Sequence, residues 1–150
     1  MTGLALPKSP RQHATPYLKM VASLPCLLSG RIIGVQAAHI AYGSVTWDKH
    51  YTGMAEKADD RWTVPLCQEL HLMNTGSQHH HGHEELWWAQ FGVDPLRVAH
   101  LLWEYRDRFD LMLDVVEAFT PKDRMVVARI AGILMNETIG TLRELSNQRA

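Results

Sequence analysis

The sequence predicts an α+β fold: a β-rich, histidine-bearing first half followed by an all-helical second half. Three observations carry this. β-Branched residues concentrate in Arg31-Ile-Ile-Gly-Val-Gln-Ala-Ala-His-Ile40, which reads as a hairpin turning near Gly34. From Val98 onward, apolar residues recur at helical spacing: Val98, Leu101, Leu102 and Tyr105, then Leu111, Leu113, Val116 and Phe119. Two capping signals, Asp94-Pro95 and Thr120-Pro121-Lys-Asp123, punctuate that helical half.

The elements follow in order. Residues 1–14 hold Pro7, Lys8, Pro10, Arg11 and His13 without periodicity and read as a flexible N-terminal arm. Tyr17, Leu18, Val21 and Ala22 predict a short helix over residues 16–23, stopped by Pro25. After the expected hairpin, residues 41–61 carry Gly43, Gly53 and mixed charge with no apolar period; a loop that long in a compact domain points to function. Trp62-Thr-Val re-enters the sheet, and Pro65 is placed to open a helix through Leu66, Leu70 and Leu72. Residues 84–91 read as helical. The helix capped by Asp94-Pro95 is expected to run on through Phe119, and a last helix covers about residues 121–146. The domain proper is residues 15–106, and residues 107–150 form a helical C-terminal extension.

The apolar fraction, 46%, is ordinary for a globular chain and sufficient for one core. The apolar run from Met125 to Met135 is interrupted by Arg129 and too short to span a bilayer. No charged segment followed by an apolar signal core opens the chain. These features predict a cytoplasmic protein with no membrane partner. Charge is unevenly spread: Lys8, Arg11, Lys19, Arg31 and Lys49 face a single acid, Asp48, in residues 1–50, whereas residues 51–100 are acidic. Cys26 and Cys67 are too few for a four-cysteine zinc site.

Chemistry concentrates in residues 35–84. Five of the nine histidines fall between His71 and His83. Taken singly, each candidate has a plain reading: His39 as a strand-end histidine, Asp60 as a turn residue, His71 as a surface position, His79-His80-His81 as a solvated run. Their order is more specific. A strand-borne histidine, a loop ending in an acid, a helix-borne histidine and a further histidine can fold back around one divalent ion, since imidazole nitrogens and carboxylate oxygens suit such ions.

Leu24-Pro-Cys26-Leu-Leu-Ser-Gly30, Ala38-His39-Ile, Thr52-Gly53-Met54, Glu56-Lys57-Ala-Asp-Asp60 and Trp62-Thr-Val-Pro-Leu-Cys67 together resemble the HNH (ββα-metal) endonucleases, in particular the small prophage-type recombination nucleases. The similarity extends through residues 78–88 and Gly92-Val-Asp-Pro95. It implies a ββα-metal core with flanking helices, cleavage of DNA, and one divalent metal ion (Zn, Mg or Mn). By that resemblance His39 is the general base, Asp60 orients it or the catalytic loop, and His71 and His80 are metal ligands. His79, His81 and His83 are close rivals of His80. Two departures stand out. Ala38 occupies a position where the family often has a ligand, and Ser29 and Leu70 stand near where members with a structural zinc have partner residues. That argues against a structural zinc and leaves two or three protein ligands for the active ion, with Asp59 able to fill a vacancy. Lys49 and Lys57 in the long loop are candidate phosphate contacts. The implied partners are DNA and, in a degenerate member, a recombination protein. The apolar girth of residues 124–135 also predicts a homodimer through the C-terminal helices.

Overall fold

The computed structural model describes residues 15–51, 59–73, 78 and 83–149. The fold is α+β, a two-stranded antiparallel sheet with helices packed around it. Helix α1 (Thr15–Ala22) is followed by β1 (Val35–His39) and β2 (Thr63–Cys67), then by a single π-helical turn (Glu69–Met73). Helices α2 (Glu84–Ala89), α3 (Pro95–Glu104), α4 (Phe109–Phe119) and α5 (Arg124–Gln148) complete it. The expected N-terminal arm, residues 1–14, lies outside the described residues.

The expected hairpin at Gly34 does not form. Only Val35–His39 is strand, and its partner is β2, in the register Ala37↔Pro65 and His39↔Thr63. Gly34 instead turns the chain into β1 at φ +70°, a conformation a side chain would strain, and its carbonyl accepts Gln68 N–H at 2.9 Å. Ile32 and Ile33 are left in solvent, 79% and 83% exposed.

Pro65 also corrects the sequence reading: it lies inside β2, not at a helix start. Ile40 N–H donates to the Trp62 carbonyl and Gln68 N–H to that of Gly34. The hydrogen-bonded pairs therefore alternate away from Ala37↔Pro65, so no N–H is required of Pro65. Its outward carbonyl accepts Leu27 N–H at 2.8 Å, strapping the turn after α1 to the sheet. Cys67 accordingly ends a strand and does not start a helix.

All five positions of β2 are buried, which is why Thr-Val-Pro-Leu-Cys reads as a continuous apolar run without alternation. Tyr17, Val21 and Leu24 come from α1 and the turn after it, Trp87, Trp88 and Phe91 from α2 and its end, and Val98 and Leu102 from α3. The tryptophans pack as core, with Trp87 edge-on to both Trp88 and Phe91 at 4.9 Å.

Asp94 caps α3 as expected, accepting from Leu96 N–H and Arg97 N–H at 3.1 and 3.3 Å. The helix does not continue to Phe119; it ends at Glu104, and Arg108 opens the separate α4. The break lets α4 fold back and bury Met112, Val115 and Val116. The last helix starts at Arg124, later than residue 121, because Asp123 is itself the cap, accepting from Met125 N–H and Val126 N–H at 2.9 and 3.1 Å. Helix α5 packs against the π-helical turn. It buries Ile130, with Val126, Ile133 and Leu134 beside it, and leaves Met125, Val127 and Met135 exposed. Arg129, which interrupts the apolar run, donates to the Gln90 carbonyl at 2.8 Å and ties α5 to the end of α2. Among the described residues no helix is long and apolar enough to cross a membrane.

Candidate functional site

His39 is the last residue of β1, and Asp60 lies in the turn that leads into β2. Because β2 returns antiparallel with His39 opposite Thr63, the residues just before Thr63 are delivered to the side chain of His39. Its Nε2 lies 2.8 Å from Asp60 Oδ1. The Asp60 side chain is 2% exposed and that of His39 33%. Burying an ionised carboxylate is costly without a hydrogen-bond donor, and His39 provides one. With Nε2 carrying the donated proton, the imidazole lone pair is on Nδ1, the tautomer a general base needs. Thr63 Oγ1 donates to the Asp60 carbonyl at 2.9 Å and fixes the turn from within the core.

Asp59 begins that turn. Its Oδ1 accepts Arg61 N–H at 3.2 Å and its carbonyl accepts Trp62 N–H at 3.0 Å, a self-bonded aspartate turn. As placed, Asp59 shapes the approach of Asp60.

His71 sits in the middle of the π-helical turn. Such turns are rare and gather at functional sites, because the extra residue re-aims a side chain. Its Nδ1 lies 2.9 Å from Gln36 Oε1. An amide oxygen only accepts, so Nδ1 carries the proton and Nε2 the lone pair, as in a metal-binding histidine held by an outer partner. Gln36 was not singled out from the sequence. Strand alternation puts Gln36 and Ala38 on one face of β1 and His39 on the other. The sheet thus keeps the His39–Asp60 pair and the Gln36–His71 pair on opposite faces of the same short strand.

Lys49 is 7% exposed, and its ammonium donates to the carbonyls of Tyr42 at 2.8 Å and His50 at 3.3 Å. Burial pushes it below the ordinary lysine range. It acts as a strut inside the loop after β1, which closes on itself through paired bonds between Ser44 and Lys49. The loop is tight: a Cβ on Gly43 would lie 2.9 Å from the Tyr51 nitrogen. Lys49→Ala is expected to cost about 1–3 kcal/mol of stability by leaving two carbonyls without their donor. Urea unfolding would read this. Lys57 and His79, His80 and His81 lie outside the described residues; His83 is exposed just before α2.

An open groove of about 490 Å³ runs between residues 42–47 and the segment from α2 to the start of α3. The charged side chains lining it are Glu85 and Asp94, so it disfavours a phosphate.

The donor chemistry around His71 fits a divalent ion in that one histidine is already held in the ligating tautomer. Among the described residues no group of three or more His, Cys, Asp or Glu side chains gathers on one point. Among the described residues the cysteines lack the donors of a structural zinc site. Cys26 and Cys67 are both fully buried free thiols in hydrogen-bond contact with each other. Ser29 Oγ lies 3.8 Å from Cys67 Sγ, and the fully buried Leu70 offers no donor. Two sulfurs and a serine hydroxyl are the donors that the described residues bring there, short of the closed four-ligand shell of a structural site. The Cys67 thiol donates to Cys26, which lowers Cys26 and raises Cys67 relative to an ordinary thiol.

No curated protein and no solved structure matches the chain. Residues 1–105 match the family described as "Protein of unknown function (DUF968)", a span from the N-terminal residue to just past α3 that takes in both pairs at β1 but neither α4 nor α5. The chain therefore belongs to the DUF968 family.

Proposed function

We propose that this chain is a metal-dependent endonuclease of HNH type that hydrolyses DNA phosphodiester bonds. The observation that carries the reading is the His39–Asp60 pair, 2.8 Å apart, its carboxylate buried and its histidine one-third exposed. A carboxylate so placed fixes a tautomer and offsets the positive charge the imidazole acquires on taking a proton, which is what a general base for water requires. His39 Nδ1 takes the proton from the attacking water while Asp60 holds the ring. His71, its Nδ1–H bonded to Gln36, presents Nε2 on the other face of β1. A divalent ion there, held by His71 with His80 as the further ligand implied by the resemblance and Asp59 able to fill a vacancy, would supply Lewis-acid stabilisation of the phosphate and the leaving oxygen.

A second reading is supported by Ala38. It is fully buried on the Gln36 face, where the resemblance expects another ligand, and it has no donor atom. A non-catalytic member binding nucleic acid or a recombination protein would tolerate this. Cleavage of supercoiled and single-stranded DNA with Mg, Mn, Zn or Ni, run beside His39→Ala, separates the two. Nicking that vanishes in the variant supports the enzyme; wild-type DNA binding without nicking under every ion supports the module.

The homodimer belongs to the same proposal. Removing residues 107–150 would take Met112, Val116 and Ile130 out of the core, so point changes on the exposed face of α5 are the sounder probe. Light scattering is expected to give a dimer for the wild type and a monomer for Val127→Glu/Met135→Glu. A wild-type monomer at micromolar concentration would end the idea.

A further inference from the structure

The backbone that carries His39 is held by two side chains remote in sequence. Beyond His39, Ile40 makes the last bond to β2's side, donating to Trp62. The next donor, Ala41 N–H, bonds to Glu84 Oε2 at 2.9 Å. The other oxygen, Glu84 Oε1, accepts Gln78 Nε2–H at 2.6 Å, and the same Gln78 nitrogen reaches the His39 carbonyl at 3.4 Å. Gln78 is 7% exposed. The result is a closed circuit, from His39 carbonyl to Gln78 amide to Glu84 carboxylate to Ala41 N–H, which grips the peptide units on either side of Ile40. Ile40 is itself fully buried, so the circuit and the core fix the same stretch from two sides. Lys49 lies within the field of the Glu84 carboxylate and helps to offset its charge.

We infer that Glu84, acting through Gln78 and Ala41, is a positioning residue for His39. The inference rests on the reading of His39 as a general base. Asp60 fixes which nitrogen of His39 carries the proton but grips only the ring tip, across a single bond. The Cα from which the ring hangs lies at the end of a strand, and strand ends fray unless another group takes up their free donors and acceptors. Glu84 and Gln78 do that here. A base misplaced by about 1 Å loses up to about 100-fold in rate, so a clamp on its backbone acts on turnover more than on DNA binding.

The test uses the full-length protein with supercoiled plasmid and each of Mg, Mn, Zn and Ni. Glu84→Ala is expected to lower kcat about 10- to 100-fold with KM for DNA changed by less than about 3-fold. Glu84→Gln keeps an oxygen for Ala41 N–H but turns its NH2 toward that of Gln78, and is expected to lose no more than loss of the Gln78 arm alone. Gln78→Ala, which leaves the Glu84–Ala41 bond in place, is expected to show a smaller loss of the same kind. The second readout is NMR of the His39 Nε2–H proton, expected to be visible in the wild type and Glu84→Gln and broadened or lost in Glu84→Ala. A folded Glu84→Ala protein with unchanged kcat and an unchanged His39 signal overturns the inference, as does Glu84→Gln no better than Glu84→Ala. If the wild type cleaves nothing with any ion, the nuclease reading fails, and the His39 signal alone then decides the clamp: loss in Glu84→Ala upholds it, persistence overturns it.

Discussion

Replacing His39 by Ala is expected to lower DNA nicking about 10²- to 10⁴-fold, the usual contribution of a positioned general base, with metal content nearly unchanged. Metal retention follows from placement. The side chain of His39 is on the opposite face of β1 from Gln36 and His71, bonded to Asp60, so its loss does not touch the Gln36–His71 pair. Asp60→Asn extends the test. An asparagine can turn its NH2 toward Nε2, which would put the lone pair there and the proton on Nδ1, the wrong nitrogen for a base. A large fall in kcat is therefore expected with little change in DNA affinity. Asp60→Asn is also the safer probe of the pair than Asp60→Ala, since an alanine would leave a hole beside Thr63 in the core turn. Metal analysis and nicking measured on the same samples check both variants. Loss of metal in His39→Ala would move His39 into the ligand set.

The second large effect is expected at His71. His71→Ala removes the histidine held in the ligating tautomer, and calorimetric titration with a divalent ion is expected to show binding weakened by at least about 10- to 100-fold. His80→Ala is expected to weaken binding as well, with His79→Ala and His81→Ala as the comparison that fixes which of the run contributes. Gln36→Leu gives a sharper discrimination. It keeps the bulk next to His71 but removes the acceptor for Nδ1–H, so the ring is freed to turn and to change tautomer. An affinity loss of about 10-fold with an unchanged melting temperature would place Gln36 as the orienting partner. Unchanged affinity in both His71→Ala and Gln36→Leu would remove this face of β1 from the metal site.

His39, Asp60 and His71 were legible in the chain because residue type and order suffice to pick them out: histidine and aspartate are poor core residues, and here they recur at the ends of apolar runs. The helix cap at Asp94 was legible for a related reason, while the second cap proved to be Asp123 and not Thr120. A cap bonds to backbone within two or three residues, so its signal is local. The tryptophans of α2 belong to a helical neighbourhood, which favours packing over base stacking, and they are core. The hairpin at Gly34 and the helix at Pro65 were misread because both residues are ambiguous alone. A glycine at positive φ serves a hairpin or the entry to a strand, and a proline serves a helix start or a strand position that needs no N–H. Only the register Ala37↔Pro65 decides between them.

By itself the sequence determined the fold class, the residue types available for chemistry and the starts of α2 and α3. The tertiary structure decided which side chains hold the candidate residues in place. Gln36 meets His71 across 35 positions, Gln78 meets His39 across 39, and Glu84 meets Ala41 across 43. Glutamine and glutamate carry no local signature that marks a partner so far away, since either is equally at home in solvent. Their roles arise when the two strands pair, α5 braces the π-helical turn and the start of α2 swings under the end of β1, for a hydrogen bond reads distance in space and not in sequence.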